Sequence, residues 1–297
     1  HLTNIIMEKL LASKIKKNNI GNLNPPQKQI NSILEYYQDN KFGDAEEEAL
    51  SIIKKFPKHH FAWKILGIIY LRTSRFTEAL SANKKAVELS PKDAEAYNIL
   101  AIIYKELGRL PDAEASCLKA IEFNPSFFQA YSNLGNILKE LGKLEKAKDC
   151  YLQAINLNPN LAEVYSNLGN IYKDLNKLQK AEISFLKALE LNPNLAEAHS
   201  NLADIFKELG RFQEAEASCL KAIELNPNLA EAYNNLAVTY NELGRLQEAE
   251  ASCLKAIELN PNLAEAYIAH GIILKKLNKL KEAEVSLKKA IILKPDM

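Results

Sequence analysis

Eight prolines, Pro57, Pro91, Pro125, Pro159, Pro193, Pro227, Pro261 and Pro295, follow one another at intervals of 34 residues. Proline lacks the amide hydrogen a helix needs and disfavours helix at the residue before it, so each marks a place where a helix must stop. A fixed period of this size means a chain of like units rather than one globule. The 297 residues divide into eight such units and 25 residues more, and only Pro25, Pro26 and Pro111 stand outside the series. Other positions keep the register. Ala79, Ala113, Ala147, Ala181, Ala215, Ala249 and Ala283 share one, and Ala86, Ala120, Ala154, Ala188, Ala222, Ala256 and Ala290 another. A large, mostly aromatic position reads Trp63, Tyr97, Tyr131, Tyr165, His199, Tyr233 and Tyr267.

Each unit reads as two helices. In the unit from Ala230 to Leu263, Tyr233, Leu236, Ala237 and Tyr240 recur at helical spacing and make one apolar stripe. Gly244 then breaks the pattern, and its counterparts are Ser74, Gly108, Gly142, Asn176, Gly210 and Asn278, mostly residues that tolerate a left-handed backbone. A second stripe runs through Leu246, Ala249, Cys253, Ala256 and Ile257, and Asn260-Pro261 closes the unit. Neither helix buries its stripe alone, so the units must stack and share a core.

These residues resemble the tetratricopeptide repeat family, whose motif sets a large aromatic, Leu-Gly or Leu-Ala, Tyr, Ala, an aromatic, Ala and Pro at fixed places. One unit supplies Tyr131, Leu134, Gly135, Ala147, Tyr151, Ala154 and Pro159, with Leu138 standing where the family prefers Tyr. Seven units match over residues 60–297, and residues 26–59 look like a degenerate eighth that keeps Tyr36, Phe42, Ala45 and Pro57. The resemblance implies an all-α fold, a right-handed α-α superhelix or solenoid of stacked helix-turn-helix units, with first helices lining a concave groove.

Opposite the apolar stripe of the first helix lie Glu163, Asn167, Asn170 and Asp174, at spacings that keep them on one side. Two of these positions recur, one as Asn133, Asn167, Asn201 and Asn235, the other as Asn136, Asn170 and Asp204, with Asn98 one place earlier in its unit. Asparagine costs a helix surface up to about 0.7 kcal/mol relative to alanine, whereas its donors and acceptors suit the backbone of an extended peptide. The eight residues are therefore candidates for binding the main chain of a partner, similar to the asparagine ladder of protein O-linked N-acetylglucosamine transferases. Two other accounts stay open. Duplication propagates an idle residue, since Glu216–Ala232 and Glu250–Ala266 are identical, and neighbouring amides can bond one another between repeats.

Charge narrows the partner. Lys and Arg number 38 against 37 Asp and Glu, which argues against nucleic acid. Chaperone-binding members of the family hold a terminal carboxylate with Lys and Arg in the inner stripe, and here those places carry acids or amides, with Lys105, Lys139, Lys173 and Lys207 only beside them. Residues 196–263 hold eleven acids and five bases, so the expected partner is a neutral or basic peptide.

Catalytic chemistry has no constellation to rest on. There is no HExxH, no glycine-rich phosphate loop and no CxxC. Cys117, Cys219 and Cys253 share one position and read as small packed hydrophobes, His199 and His270 as interior fillers. The expectation is a non-enzymatic scaffold without cofactor or metal, in a reducing, cytoplasmic setting. The alternative is the substrate-recruiting arm of a larger glycosyltransferase- or sulfotransferase-like protein. No run approaches the roughly 18 apolar residues of a membrane span. Residues 1–25 read as a basic amphipathic or poorly ordered segment, with Ile5, Ile6, Leu10, Leu11 and Ile15 beside Lys9, Lys14, Lys16 and Lys17. Leu287, Ala290 and Ile291 have nothing after them to cover them, so the array is expected to have been excised or to self-associate by its ends.

Overall fold

The computed structural model describes residues 25–295; the amphipathic segment before Pro25 and the last two residues lie outside them. The chain divides at Leu157 into two units, residues 1–157 and 158–297. The described residues form sixteen helices joined by short turns, with no strand among them.

In the first unit, α1 (Gln27–Gln38) pairs with α2 (Phe42–Lys55), α3 (His60–Arg72) with α4 (Phe76–Leu89), α5 (Ala94–Glu106) with α6 (Leu110–Phe123), and α7 (Phe128–Glu140) with α8 (Leu144–Leu157). Within this unit α2, α4 and α6 also pack on the first helix of the pair that follows, and α3, α5 and α7 touch in sequence. The second unit repeats this with α9 (Ala162–Asp174) and α10 (Leu178–Leu191), α11 (Ala196–Glu208) and α12 (Phe212–Leu225), α13 (Ala230–Glu242) and α14 (Leu246–Leu259), and α15 (Ala264–Lys276) and α16 (Leu280–Leu293). Its first helices α9, α11, α13 and α15 likewise touch in sequence. The stacked helix-turn-helix pairs expected from the period are present.

The turn inside each pair is the one the sequence signals. Ser74, Gly108, Gly142, Asn176, Gly210, Gly244 and Asn278 all have positive φ, as does Asn40 in the first pair. The next residue then returns its amide to a carbonyl five positions back, as in Arg75 to Tyr70 at 2.8 Å and Arg245 to Tyr240 at 2.9 Å, the closure typical of a left-handed helix stop. The same arginines stack over the ring they bond past, Arg75 on Tyr70 and Arg245 on Tyr240. They also reach an acid on the preceding second helix, Arg75 to Glu46 and Arg245 to Glu216. Between pairs, Asn226 and Asn260 accept the amide two residues on, at 3.1 Å, so the Asn of Asn-Pro shapes the turn that the Pro begins.

The two fixed alanines of every unit are fully enclosed or nearly so, because they let paired helices approach. A second rule of packing sets which residues face each other across a pair. Gly135 sits under Tyr151, Gly169 under Phe185 and Gly271 under Leu287, so close that an added Cβ would stand 2.5, 2.8 and 2.6 Å from the larger side chain. Where the first helix has alanine instead, at Ala101, Ala203 and Ala237, the facing position is Cys117, Cys219 or Cys253, all fully buried. Burial pushes these thiols up, Cys219 and Cys253 to about 12, so they stay protonated and act as packing groups. Leu287 and Ile291 are exposed, whereas Ala290 is enclosed against its own pair.

His59 caps α3, its Nδ1 accepting the amide of Ala62 at 3.3 Å. Burial, then the neighbouring His60, lowers its pKa from 6.5 to about 4. The folded state thus prefers neutral imidazole, and this contribution is complete above pH 6.5 and lost as pH falls from 6.5 to about 4. Thermal melts of the chain should lose stability across that window, and His59→Asn, which caps without titrating, should remove that part of the loss.

Candidate functional site

In the second unit the first helices enclose a groove of about 540 Å³. One end is polar, formed by Lys173 of α9, Asn201, Asp204 and Lys207 of α11, and Asn234 and Asn235 of α13. The other is apolar, formed by Val238 of α13, Leu263, and Ile268 and Ile272 of α15, with Glu231 and Glu265 beside it. The change of character follows one register position, which carries Asp204, then Val238, then Ile272 along successive helices.

Three of the eight candidate residues, Asn201, Asp204 and Asn235, line this groove. Asn235 donates through Nδ2 to the backbone oxygen of Ser200 at 3.1 Å and to its hydroxyl at 3.3 Å. Asp204 lies between Lys173 and Lys207, the latter at 2.6 Å. Burial alone would raise its carboxyl, but the two ammonium groups outweigh that and hold it below the ordinary carboxylate value. Asn167 and Asn170 are half-buried on α9 and do not line the groove.

In the first unit the asparagines are turned to a different use. Asn98 is 0% exposed and Asn133 6%, and Asn133 Nδ2 donates to Asn98 Oδ1 at 2.8 Å. Asn98 is therefore not on an open wall, as its spacing suggested; α7 covers it, and the bond joins adjacent repeats. Asn136 accepts the hydroxyl of Tyr151 at 2.7 Å, which ties it to its own pair. Amide bonding between repeats, one of the accounts left open above, thus holds for Asn98 and Asn133.

Several groove residues escaped the sequence reading. Val238 and Ile272 occupy the register position of Asp204, but a search for amides passes over them. Lys173 and Lys207 were placed beside the stripe, whereas their ammonium groups turn into the groove to meet Asp204. Asn234 lines the groove with Oδ1 enclosed and without a hydrogen-bond partner. The two flagged histidines are half-buried rather than interior. His199 bonds the carbonyl of Pro193 at 3.0 Å, as Trp63 does that of Pro57 at 2.9 Å, and His270 meets the hydroxyl of Ser286 at 3.0 Å.

Among the described residues no helix is long and apolar enough to cross a membrane, and no group of His, Cys, Asp or Glu is placed to hold a metal ion.

Comparison with known proteins agrees with this architecture. Tetratricopeptide repeat profiles match residues 32–94 and 94–127, and the profile of the Cilia and flagella-associated protein 70 C-terminal domain matches residues 118–295. No curated protein matches. Among solved structures, PilF of Pseudomonas aeruginosa aligns at 23% identity and TM-score 0.64, over 70% of this chain and 94% of its own. A tetratricopeptide repeat protein from Parabacteroides merdae aligns at 23% identity and TM-score 0.64, over 79% of this chain and 93% of its own. The APC/C hetero-tetramer Cut9–Hcn1 aligns at 17% identity and TM-score 0.68, over 86% of this chain and 50% of that one. These likenesses are of fold. With one repeat-domain profile spanning more than half of its length and two repeat profiles before it, the chain belongs to the tetratricopeptide repeat family.

Proposed function

We propose that the chain is a non-enzymatic scaffold whose second unit holds an extended segment of a partner protein in the groove between α9 and α15. Membership of a family of protein-interaction scaffolds supports the general role. The observation that carries the particular one is a groove with amides at one end and, at the other, the half-buried Val238 and Ile268 beside the exposed Ile272. Its volume of about 540 Å³ suits a few residues of a bound segment. Asn201 and Asn234 offer hydrogen bonds to a main chain without regard to its side chains, while Val238, Ile268 and Ile272 take one apolar side chain. The lining carries Asp204, Glu231 and Glu265 against Lys173 and Lys207, so a neutral or weakly basic segment fits.

The test is selection of displayed peptides against the whole chain, followed by affinity measurement on variants. Asn133 is left intact, because its removal would leave Asn98 buried without its bond. Selected peptides should carry a large apolar residue, and Asn201→Ala with Asn234→Ala and Ile272→Glu should weaken them by about 100-fold, from about 1 kcal/mol for each lost group. Peptides that bind the triple variant as tightly as the native chain would show that they bind elsewhere.

A further inference from the structure

The second residue of the first helix is an acid in five pairs, as Glu95, Glu163, Glu197, Glu231 and Glu265. The chain offsets that charge in two ways. In the first unit Lys64, 31 residues earlier, reaches Glu95 at 2.9 Å. In the last pair Lys294, 29 residues later, reaches Glu265 at 3.2 Å. For Glu231 the same two places hold Ser200 and Asn260, which carry no charge, and no cation of the described residues pairs with it. Glu231 is exposed and lines the groove. Glu197 has equally neutral residues at those places, Ser166 and Asn226, but does not line the groove.

Among the acids of the groove this one is therefore distinct. Asp204 is held by Lys173 and Lys207, and Glu265 by Lys294, which leaves Glu231 as the lining carboxylate whose charge the chain does not offset. A segment filling the groove would strip water from it, and a carboxylate that loses water without gaining a cation opposes binding. Its place says where on the segment that cation belongs. One turn after Glu231 comes Asn234, and Ile268 holds the same register position on α15, the helix that touches α13. The acid thus stands one turn, about 5.4 Å along the axis, from the level of the apolar end. An extended chain advances about 3.3 Å per residue, so a side chain reaching Glu231 lies within about two residues of the one between Val238, Ile268 and Ile272. Ser200, standing where the first unit has Lys64, also lines the groove, and its shorter side chain leaves room for a long basic one from the partner.

We infer that Glu231 is a specificity residue, selecting a lysine or arginine set within about two residues of the partner's apolar anchor; this rests on the groove reading above. Peptides of random sequence, displayed and selected against the full chain, should carry such a base. Glu231→Gln should weaken a selected peptide about tenfold at low salt and less at high salt. The same peptide with its base changed to methionine should bind the native chain as weakly and be indifferent to Glu231→Gln. Asn260→Lys copies Lys294 and should weaken the unchanged peptide about as much, from outside the groove. Glu197→Gln should bind as the native chain does. If Asn201→Ala with Asn234→Ala and Ile272→Glu abolishes binding while Glu231→Gln retains it in full, this inference is overturned and the groove reading stands. A triple variant that binds like the native chain overturns both. Selected peptides without a base near their apolar residue also overturn the inference, as does an Asn260→Lys variant without effect. An equal loss from Glu197→Gln would mean a diffuse field in place of a contact, and overturns it too.

Discussion

Gly135→Ala should destabilise the first unit by about 1–3 kcal/mol in the native background and stabilise it in a Tyr151→Cys background. A methyl group at Gly135 would stand 2.5 Å from the Tyr151 ring, and the ring is fully enclosed and cannot retreat. Glycine within a helix costs about 1 kcal/mol relative to alanine, and the large ring it admits offsets that cost by its own burial. Removing the ring by Tyr151→Cys should cost about 3–5 kcal/mol, as large-to-small core changes do. Once the ring is gone, the added methyl meets no obstacle, fills space and favours the helix, as Ala101 does opposite Cys117. Chemical denaturation of the four proteins closes the cycle. An alanine that costs the same in both backgrounds would sink the matching of glycine to a large side chain, as at Gly135 with Tyr151, and of alanine to cysteine, as at Ala101 with Cys117.

Lys64→Met should cost about 3–5 kcal/mol, the usual penalty for breaking a buried ion pair by removing one partner. Lys64 is 4% exposed, and its Nζ lies 2.9 Å from both Asp93 and Glu95. Asp93 has a second duty, capping α5 by accepting the amides of Glu95 and Ala96 at 3.0 and 3.1 Å. The one cation therefore ties α3 to the start of α5. Burial pulls the ammonium pKa down, but the two carboxylates outweigh it and the net shift is upward. A raised pKa in the fold means that the contribution is complete below the ordinary lysine value of 10.5 and lost as pH rises through the folded value. The native chain should thus lose stability at high pH, and Lys64→Met should lose less of its own. Asp93→Ser should keep the cap and forfeit the pair, so combining it with Lys64→Met should cost much less than the sum of the two. Simple additivity would mean that Lys64 acts through packing alone.

Much of this architecture was legible in the residues. The prolines place the pair ends, and the glycine, asparagine and serine positions from Ser74 to Asn278 mark the positive-φ turns of seven pairs. Both statements concern local backbone, which the residue itself decides. What the spacing could not supply was what lies across from a helix face. Asn98 and Asn133 sit on the side their register assigns, yet one is fully covered and the two bond each other, because a period fixes direction and not the neighbour. Lys64 stands at the register position of Asn98, and nothing along the chain announces that carboxylates 29 and 31 residues later will close around it. The groove was half legible for the same reason. Asn201, Asp204 and Asn235 were marked as amide or acid, while Val238 and Ile272 at the matching position passed as ordinary apolar residues. The Gly–Tyr and Ala–Cys matching lay in the sequence throughout, but it becomes a rule only once the two positions are seen to touch.

The most direct measurement of the functional claim is a backbone chemical-shift map of the full chain with a selected peptide bound. Holding the segment in the groove predicts that the largest changes fall on α11, α13 and α15, at Asn201, Asn234, Asn235 and Ile272, while Leu186, Leu220 and Leu254 on the outer face stay unmoved. Changes confined to the outer helices, or absent from α13 and α15, would contradict the account.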